Sequence, residues 1–342
     1  MAVVRIFLLT YRRNRLLQRS LESLLAQTFT DWVCELHNDD PDDPFPAELV
    51  AKTGDPRITL HVHTVKWGAT KSFNHVFAGG PEPYASLLED DNWWEPGFLA
   101  SAIPAIEAHP TASLVWANMH IWREELDGGW TDTGRTIWAT PADGSALRTF
   151  RWPEAIQAFD GLHSNGAMIF RPRTFSPMSV PPGTPLAIIE PVRERAATGE
   201  LILLPTPLAN FSLTVETARS KSRILWLQSQ LLNCTSFFNA VSVDDASLAA
   251  IWARLRTQTP RNTNLIFLAS IALRSPRLLK PASLCDWLRF VLNFVRHPEN
   301  NLGGLRFKHD QYELWAWLNK NARNACLHTP ALLLDKQAKP PV

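Results

Sequence analysis

The sequence predicts an α/β fold built on a mostly parallel sheet flanked by helices, followed by a region that is helical throughout. Three observations carry that expectation. Over roughly the first 120 residues, short β-rich apolar runs alternate with stretches whose leucines recur at helical spacing, the pattern of strand–helix–strand units. The strand-like runs end in polar and acidic residues, where a parallel sheet holds its ligands beyond the carboxyl ends of its strands. After about Ser212 the β-rich runs stop, and amphipathic stretches separated by prolines take over.

Val3 to Leu9 is apolar and uninterrupted, as expected of a strand buried on both faces. Asn14 to Ala26 then sets Leu16, Leu17, Leu21, Leu24 and Leu25 on one helical stripe. Trp32 to Leu36 reads as a second strand ending in His37, Asn38, Asp39 and Asp40, and Ile58 to His63 as a third. Ala69 to Ala78 reads as a helix, and Tyr84 to Leu88 as a fourth strand that stops at three consecutive carboxylates, Glu89, Asp90 and Asp91. A helix is expected near Glu95, with Pro96 at its first position. Ser113 to Ile121 reads as a further strand, followed by a glycine-containing excursion or hairpin; Asp160 to Pro172 reads as a small-residue turn leading into another apolar strand. Beyond Ser212, helices are expected over 223–240, 247–256, 264–274, 283–296 and 312–324, broken at Pro260, Pro276 and Pro298, with a disordered Pro-rich tail from about Lys336.

Length and composition bound the reading. A chain of 342 residues allows about two domains. Its 45% hydrophobic and 20% charged residues are those of an ordinary folded protein. Net charge is nearly zero, yet residues 251–342 hold 14 Lys/Arg against 5 Asp/Glu, so the rest of the chain is acidic. An acidic first part suits a metal site, and a basic last part suits either an anionic partner or membrane surface or a solvated helical face. Cys34, Cys234, Cys285 and Cys326 are too scattered for a zinc cluster and read as reduced thiols of a cytoplasmic protein. No run reaches the roughly 18 apolar residues that span a bilayer, so a soluble or peripheral protein is expected.

The acidic triplet carries the chemistry. On an extended chain Glu89 and Asp91 project to one side and Asp90 to the other, so the first two can converge on a divalent cation. Mg²⁺ typically takes only one or two protein carboxylates and completes its shell with water and phosphate oxygens. A solvated acidic turn before a Pro-led helix is the alternative reading.

These residues also carry a resemblance. LLEDDNWWEPGFL resembles the metal-binding "DXD" segment of family 2 glycosyltransferases of the GT-A fold. Upstream, IFLLTYRRNRLLQRSLESLLAQTFTDWVCELHNDDPDD is similar to that family's first strand, turn, first helix and acidic-tipped second strand, and KWGATKSFNHVF to its next segment, with Asn74 six residues after Gly68. The resemblance covers about the first 120 residues in order and spacing. It implies a GT-A domain over 1–212, with a nucleotide-sugar part to about 120 and an acceptor part from 121; the change of pattern after Ser212 adds a helical region over 213–335 and a tail over 336–342.

It also implies roles. Thr10, Tyr11 and Asp39 would contact the nucleoside, although Asn38 replaces the family's first aspartate and Pro41 its usual serine. Asp39 also suits a cap for the following segment. Lys71 would reach the diphosphate or lie exposed on its helix. Asp91 with Glu89 would hold Mg²⁺ or Mn²⁺, and Glu89 or Asp90 would contact sugar or ribose. His163 and Ser164 would face the acceptor or the sugar, a lone His in such a loop being structural otherwise. The usual Glu-Asp pair of the catalytic base is missing: Glu190, before Pro191 at an expected helix start, takes that position, with Asp160 as second choice.

The implied activity is inverting, metal-dependent transfer of a sugar from a nucleotide-diphosphate donor, UDP first, to a saccharide or lipid-linked hydroxyl in surface polysaccharide or glycoconjugate synthesis. Two other classes stay open. A sugar-phosphate nucleotidyltransferase would want a Gly-rich phosphate loop after the first strand, and LLTYRRNR contains no glycine. A catalytically silent sugar-nucleotide-binding paralogue fits the irregular Glu190-Pro191 segment.

Overall fold

The computed structural model describes residues 2–140, 147–172, 180–215, 222–258 and 262–328. The expected break at Pro260 and the tail from Lys336 lie outside them.

Four parallel strands form one half of the sheet: β1 (Val4–Thr10), β2 (Trp32–Asn38), β3 (Ile58–Val62) and β4 (Tyr84–Glu89), ordered β3-β2-β1-β4. Helices α1 (Asn14–Leu25), α2 (Phe45–Thr53) and α3 (Ala69–Ala78) make the crossovers. The sheet continues through β9 (Met168–Phe170), antiparallel to both β4 and β6 (Ala112–Glu124), and then β10 (Glu200–Leu213), parallel to β6. Short strands β5 (Trp93–Trp94) and β8 (Arg148–Phe150) pair antiparallel with β10, and β7 (Trp130–Thr136) folds back on β6 as the expected hairpin. The architecture is thus the expected α/β sheet with helices on its faces, mixed in its second half.

Burial explains the strand pattern. Tyr84 to Leu88 are buried throughout, because β4 lies between β1 and β9 with α3 and α4 (Phe98–Ala108) near its ends. Trp32, Trp116 and Trp138 are fully buried and anchor the two halves of the core. Helix α2 has no counterpart in the sequence reading: it buries only Pro46, so it shows no apolar stripe, and it is delimited by prolines and by Gly54 at its end.

Glu190 and Pro191 do not begin a helix. Helix α5 spans Leu186–Glu194 with Pro185 at its N-cap, and Pro191 stands inside it. A helix tolerates an interior proline at the loss of one backbone hydrogen bond, and here the buried Ile188, Ile189 and Val192 hold the segment against the sheet.

The helical region is built on α6 (Arg223–Ala240), whose residues are buried nearly all round from Leu227 to Phe237. Its polar residues are tied to the sheet part: Arg195 donates to Asn233 Oδ1 at 2.7 Å and to Ser236 Oγ at 2.7 Å. Helices α7 (Asp245–Thr257), α8 (Thr263–Leu273), α9 (Leu284–Arg296), α10 (Pro298–Leu305), α11 (Phe307–Asp310) and α12 (Tyr312–Lys320) complete it. The chain leaves α12 four residues earlier than expected and forms β12 (Ala325–Leu327) against β11 (Val241–Val243). Helix α9 is apolar on two sides. Phe290 stacks on Phe267 at 4.6 Å, while Leu284, Leu288, Val291, Leu292 and Val295 are exposed.

Candidate active site

The carboxyl ends of β1, β2 and β4 meet at one edge of the sheet. Asp39 N donates to Thr10 O at 3.0 Å, and Asp90 N to Leu9 O at 3.2 Å. The extended chain of β4 stops at Glu89, and Asn92 N closes a turn onto Glu89 O at 3.1 Å, so side-chain alternation ends there.

Within that turn Asp90 and Asp91 converge on one cation: Arg13 Nη1 lies 3.3 Å from Asp90 Oδ1 and 2.5 Å from Asp91 Oδ2. Glu89 accepts from Asn92 Nδ2 at 3.0 Å and lies beside Gly166. Asp90 is buried, and its Oδ2 accepts from Thr10 Oγ1 at 3.0 Å and Tyr11 N at 3.3 Å. Burial and the neighbouring Asp91 charge push the Asp90 carboxyl up to about 7, against the pull of Arg13 and the two donors. Thr10 thus ties the end of β1 to the acidic turn.

Both flanking elements brace the turn. From α1, Ser20 Oγ donates to Asp90 O at 2.8 Å, and Arg19 Nη2 to Asp91 O at 2.9 Å. The Arg19 guanidinium sits between the rings of Trp93, at 3.7 Å, and Trp130, at 4.0 Å. From β10, Ser212 N donates to Asn92 Oδ1 at 3.1 Å, and Ser212 Oγ to Asp91 O.

At the end of β2, Asp39 is taken up by a loop: its oxygens accept from Trp67 N at 2.5 Å, Gly68 N at 2.8 Å and His63 Nδ1 at 3.0 Å. A carboxylate offers about four acceptor positions, so one remains. Buried Asn38 accepts from Asp40 N and donates to Asp43 O, each at 3.0 Å; a carboxylate cannot donate, which accounts for Asn in place of the family's aspartate. The partly exposed Tyr11 ring carries Lys66 Nζ 3.5 Å from its centroid. Lys71, on the exposed first turn of α3, has its ammonium 4.3 Å from the Trp67 ring centroid and not at the acidic turn.

The 160–166 loop forms the opposite wall. Trp94 Nε1 donates to Gly166 O at 2.7 Å, and a Cβ on Gly166 would meet Asn92 Nδ2 at 2.7 Å. Glu190 Oε1 accepts from Asn165 N at 3.3 Å, and a Cβ on Gly161 would lie 2.7 Å from Glu190 Cβ. Asn165 and Gly166 thus stand between Glu89 and Glu190. Asp160 accepts from Gly161 N at 2.9 Å, at the start of the same loop. His163 does not face an acceptor: it is fully buried, with Nδ1 2.6 Å from Glu194 Oε1 and Nε2 3.1 Å from Asn165 Oδ1. Glu194 also accepts from Leu162 N at 2.6 Å and Gln157 Nε2 at 2.8 Å, so it organises the loop from within. Ser164 is buried too, and its Oγ has no hydrogen-bond partner among the described residues.

The acidic turn fits a hard divalent cation. Two carboxylates already share one cationic nitrogen, Asp91 is partly exposed, and the donors are oxygens only, the set that suits Mg²⁺ or Mn²⁺.

Residues 6–159 match the family described as Glycosyl transferase family 2. The chain carries a family 2 glycosyltransferase domain. The fold of this glycosyltransferase is also that of solved structures. A crystal structure of S. aureus TarS 1-349 matches with a TM-score of 0.59 at 12% identity, covering 92% of each chain. The same TarS fragment in complex with UDP-GlcNAc gives 0.58, and in complex with UDP 0.56, at the same identity and coverage. No curated protein sequence matches the chain.

Several residues of this family 2 site escaped the sequence reading. Arg13, Arg19, Ser20 and Ser212 hold the acidic turn, but ordinary helix and strand positions give them no local signature. Asn74 had one, its spacing from Gly68: it donates to Val180 O at 3.0 Å and accepts from Arg193, joining α3 to α5.

Proposed function

We propose that this glycosyltransferase moves a sugar, with inversion, from a nucleotide-diphosphate donor, UDP-linked first, to a hydroxyl of a saccharide or lipid-linked acceptor in polysaccharide or glycoconjugate synthesis. The observation that carries this reading is the braced pair Asp90–Asp91 at the carboxyl end of a central strand, in a glycosyltransferase domain. The likeness to TarS bound to UDP-GlcNAc favours a uridine donor. Tyr11, with Lys66 above it, offers a stacking face for the base, and Asp39 keeps one acceptor position for it.

Asp91 and Asp90 would hold Mg²⁺ or Mn²⁺, which would supply positive charge against the departing diphosphate. Asn165 and Gly166 bring the sugar between Glu89 and Glu190, and the unpartnered Ser164 hydroxyl is an additional contact. Glu190 takes the proton of the acceptor hydroxyl as its oxygen bonds to the anomeric carbon and the bond to the diphosphate breaks. His163 positions the loop through Glu194.

A panel of nucleotide sugars with Mn²⁺ tests the reading by thermal stabilisation. The preferred donor at about 100 times its dissociation constant should add about 2.7 kcal/mol. UDP-sugars should lead, and a panel in which no nucleotide sugar stabilises the protein would sink the proposal.

The exposed apolar side of α9 favours peripheral contact with a membrane. Its exposed side chains, with Trp287 half-exposed, belong to a region in which 14 Lys/Arg stand against 5 Asp/Glu. Among the described residues no helix is long and apolar enough to cross a bilayer. Binding to anionic vesicles should be clear at low salt and fall steeply as salt rises, each basic residue contributing about 1 kcal/mol near the surface. Indifference to such vesicles at low salt would leave α9 as an exposed face of a soluble protein.

A further inference from the structure

We infer that Glu35, His37 and His75 form a second metal site, of zinc type, separate from the acidic turn and set behind the nucleoside-facing end of β2. Glu35 and His37 are two apart on β2 and project to the face that α3 covers, and α3 brings His75 over them. His37 Nε2 lies 3.2 Å from Glu35 Oε2, and His75 Nε2 lies 3.7 Å from the same oxygen. One ligand atom from each residue falls within 4.8 Å of the others. Zinc bonds of about 2.0–2.2 Å in tetrahedral geometry set neighbouring ligand atoms roughly 3.3–3.5 Å apart, so small side-chain adjustments complete the site.

Two further observations favour an ion there. The Nε2 atom of His75 is buried and makes no hydrogen bond among the described residues. The second is a shortage of protons along the line Glu35–His37–His63–Asp39. Its three contacts are 3.2, 3.0 and 3.0 Å, and both ends are carboxylates, which only accept. Two neutral imidazoles bring two protons to three contacts. If each carboxylate receives one, lone pairs of His37 Nδ1 and His63 Nε2 face each other. A cation on His37 Nε2 removes the conflict: His37 Nδ1–H then donates to His63 Nε2, and His63 Nδ1–H to Asp39. This is the outer hydrogen bonding that orients metal-bound histidines.

The ligand set selects the metal class. Two imidazoles and one carboxylate suit Zn²⁺, with water in the fourth position, better than the oxygen-seeking Mg²⁺ or Mn²⁺. Arg5 contacts Oε1 of Glu35, which leaves Oε2 for the ion. His75, with 39% of its side chain exposed, marks the entry side. The hydrogen-bonded line ends at Asp39, which holds the 67–68 backbone, so an ion here would stiffen the loop that leads into α3.

The test uses the full chain without a histidine tag, stripped by a chelator and then titrated with Zn²⁺ against a chromogenic competitor. One tight site is expected. His75→Gln, on a half-exposed helix position, and Glu35→Gln should each weaken it 10-fold or more, whereas Asp91→Asn should leave it unchanged. Co²⁺ should give the intense visible bands of a tetrahedral ion in the wild type, lost in His75→Gln. No binding at micromolar Zn²⁺, or equal affinity in wild type and both variants, would overturn the site and assign the line to a shared extra proton.

Discussion

Asp91→Asn is expected to abolish measurable transfer and the metal dependence of nucleotide binding while leaving the protein folded. Asp91 is the partly exposed member of the converging pair, and its side chain meets only Arg13 among the described contacts, so the substitution removes charge without emptying a buried position. Metal neutralisation of a departing diphosphate supplies several kcal/mol, and about 4 kcal/mol is roughly three orders of magnitude in rate. Circular dichroism and melting should match the wild type, and Mn²⁺ should no longer improve nucleotide affinity. Metal-dependent turnover that survives in the variant would remove Asp91 from the site.

Glu190→Gln should lower turnover by about two to four orders of magnitude, the usual range for a positioned base, with donor affinity little changed. Glutamine keeps the shape and an oxygen for Asn165 N but cannot take a proton from the acceptor. The measurement is kcat at saturating donor beside the dissociation constant of the nucleotide. Near-normal kcat would move the role to Asp160, which begins the same loop.

The elements that could be read were those whose signal is local. The residues of α3 carry their periodicity within ten positions, and the observed bounds, Ala69–Ala78, coincide with the expected ones. The acidic end of β4 was visible because an apolar run stops at charges. What the charges do was not visible, because the turn at Asn92 breaks the alternation on which the Glu89–Asp91 pairing rested. Glu190 misled for a related reason: proline favours a helix start, but packing of Ile188, Ile189 and Val192 carries α5 through it. His163 could be read from its loop either as facing a substrate or as structural, and only Glu194, 31 residues on, explains why it is buried.

The brace between β10 and the acidic turn bears on how the molecule is made. The acidic turn itself is synthesised by Asn92, yet Ser212, whose hydroxyl and amide tie that turn down, is synthesised about 120 residues later. Until then α1, Thr10 and Tyr11 hold the turn without its clamp from β10, and β5 has no strand to pair with. A fragment cut after residue 159, where the family match ends, would thus carry all the acidic letters of the motif in a nascent, unclamped form. The full set of contacts at the acidic turn is thus completed late in translation, when the fourteen-residue strand β10 pairs with β6.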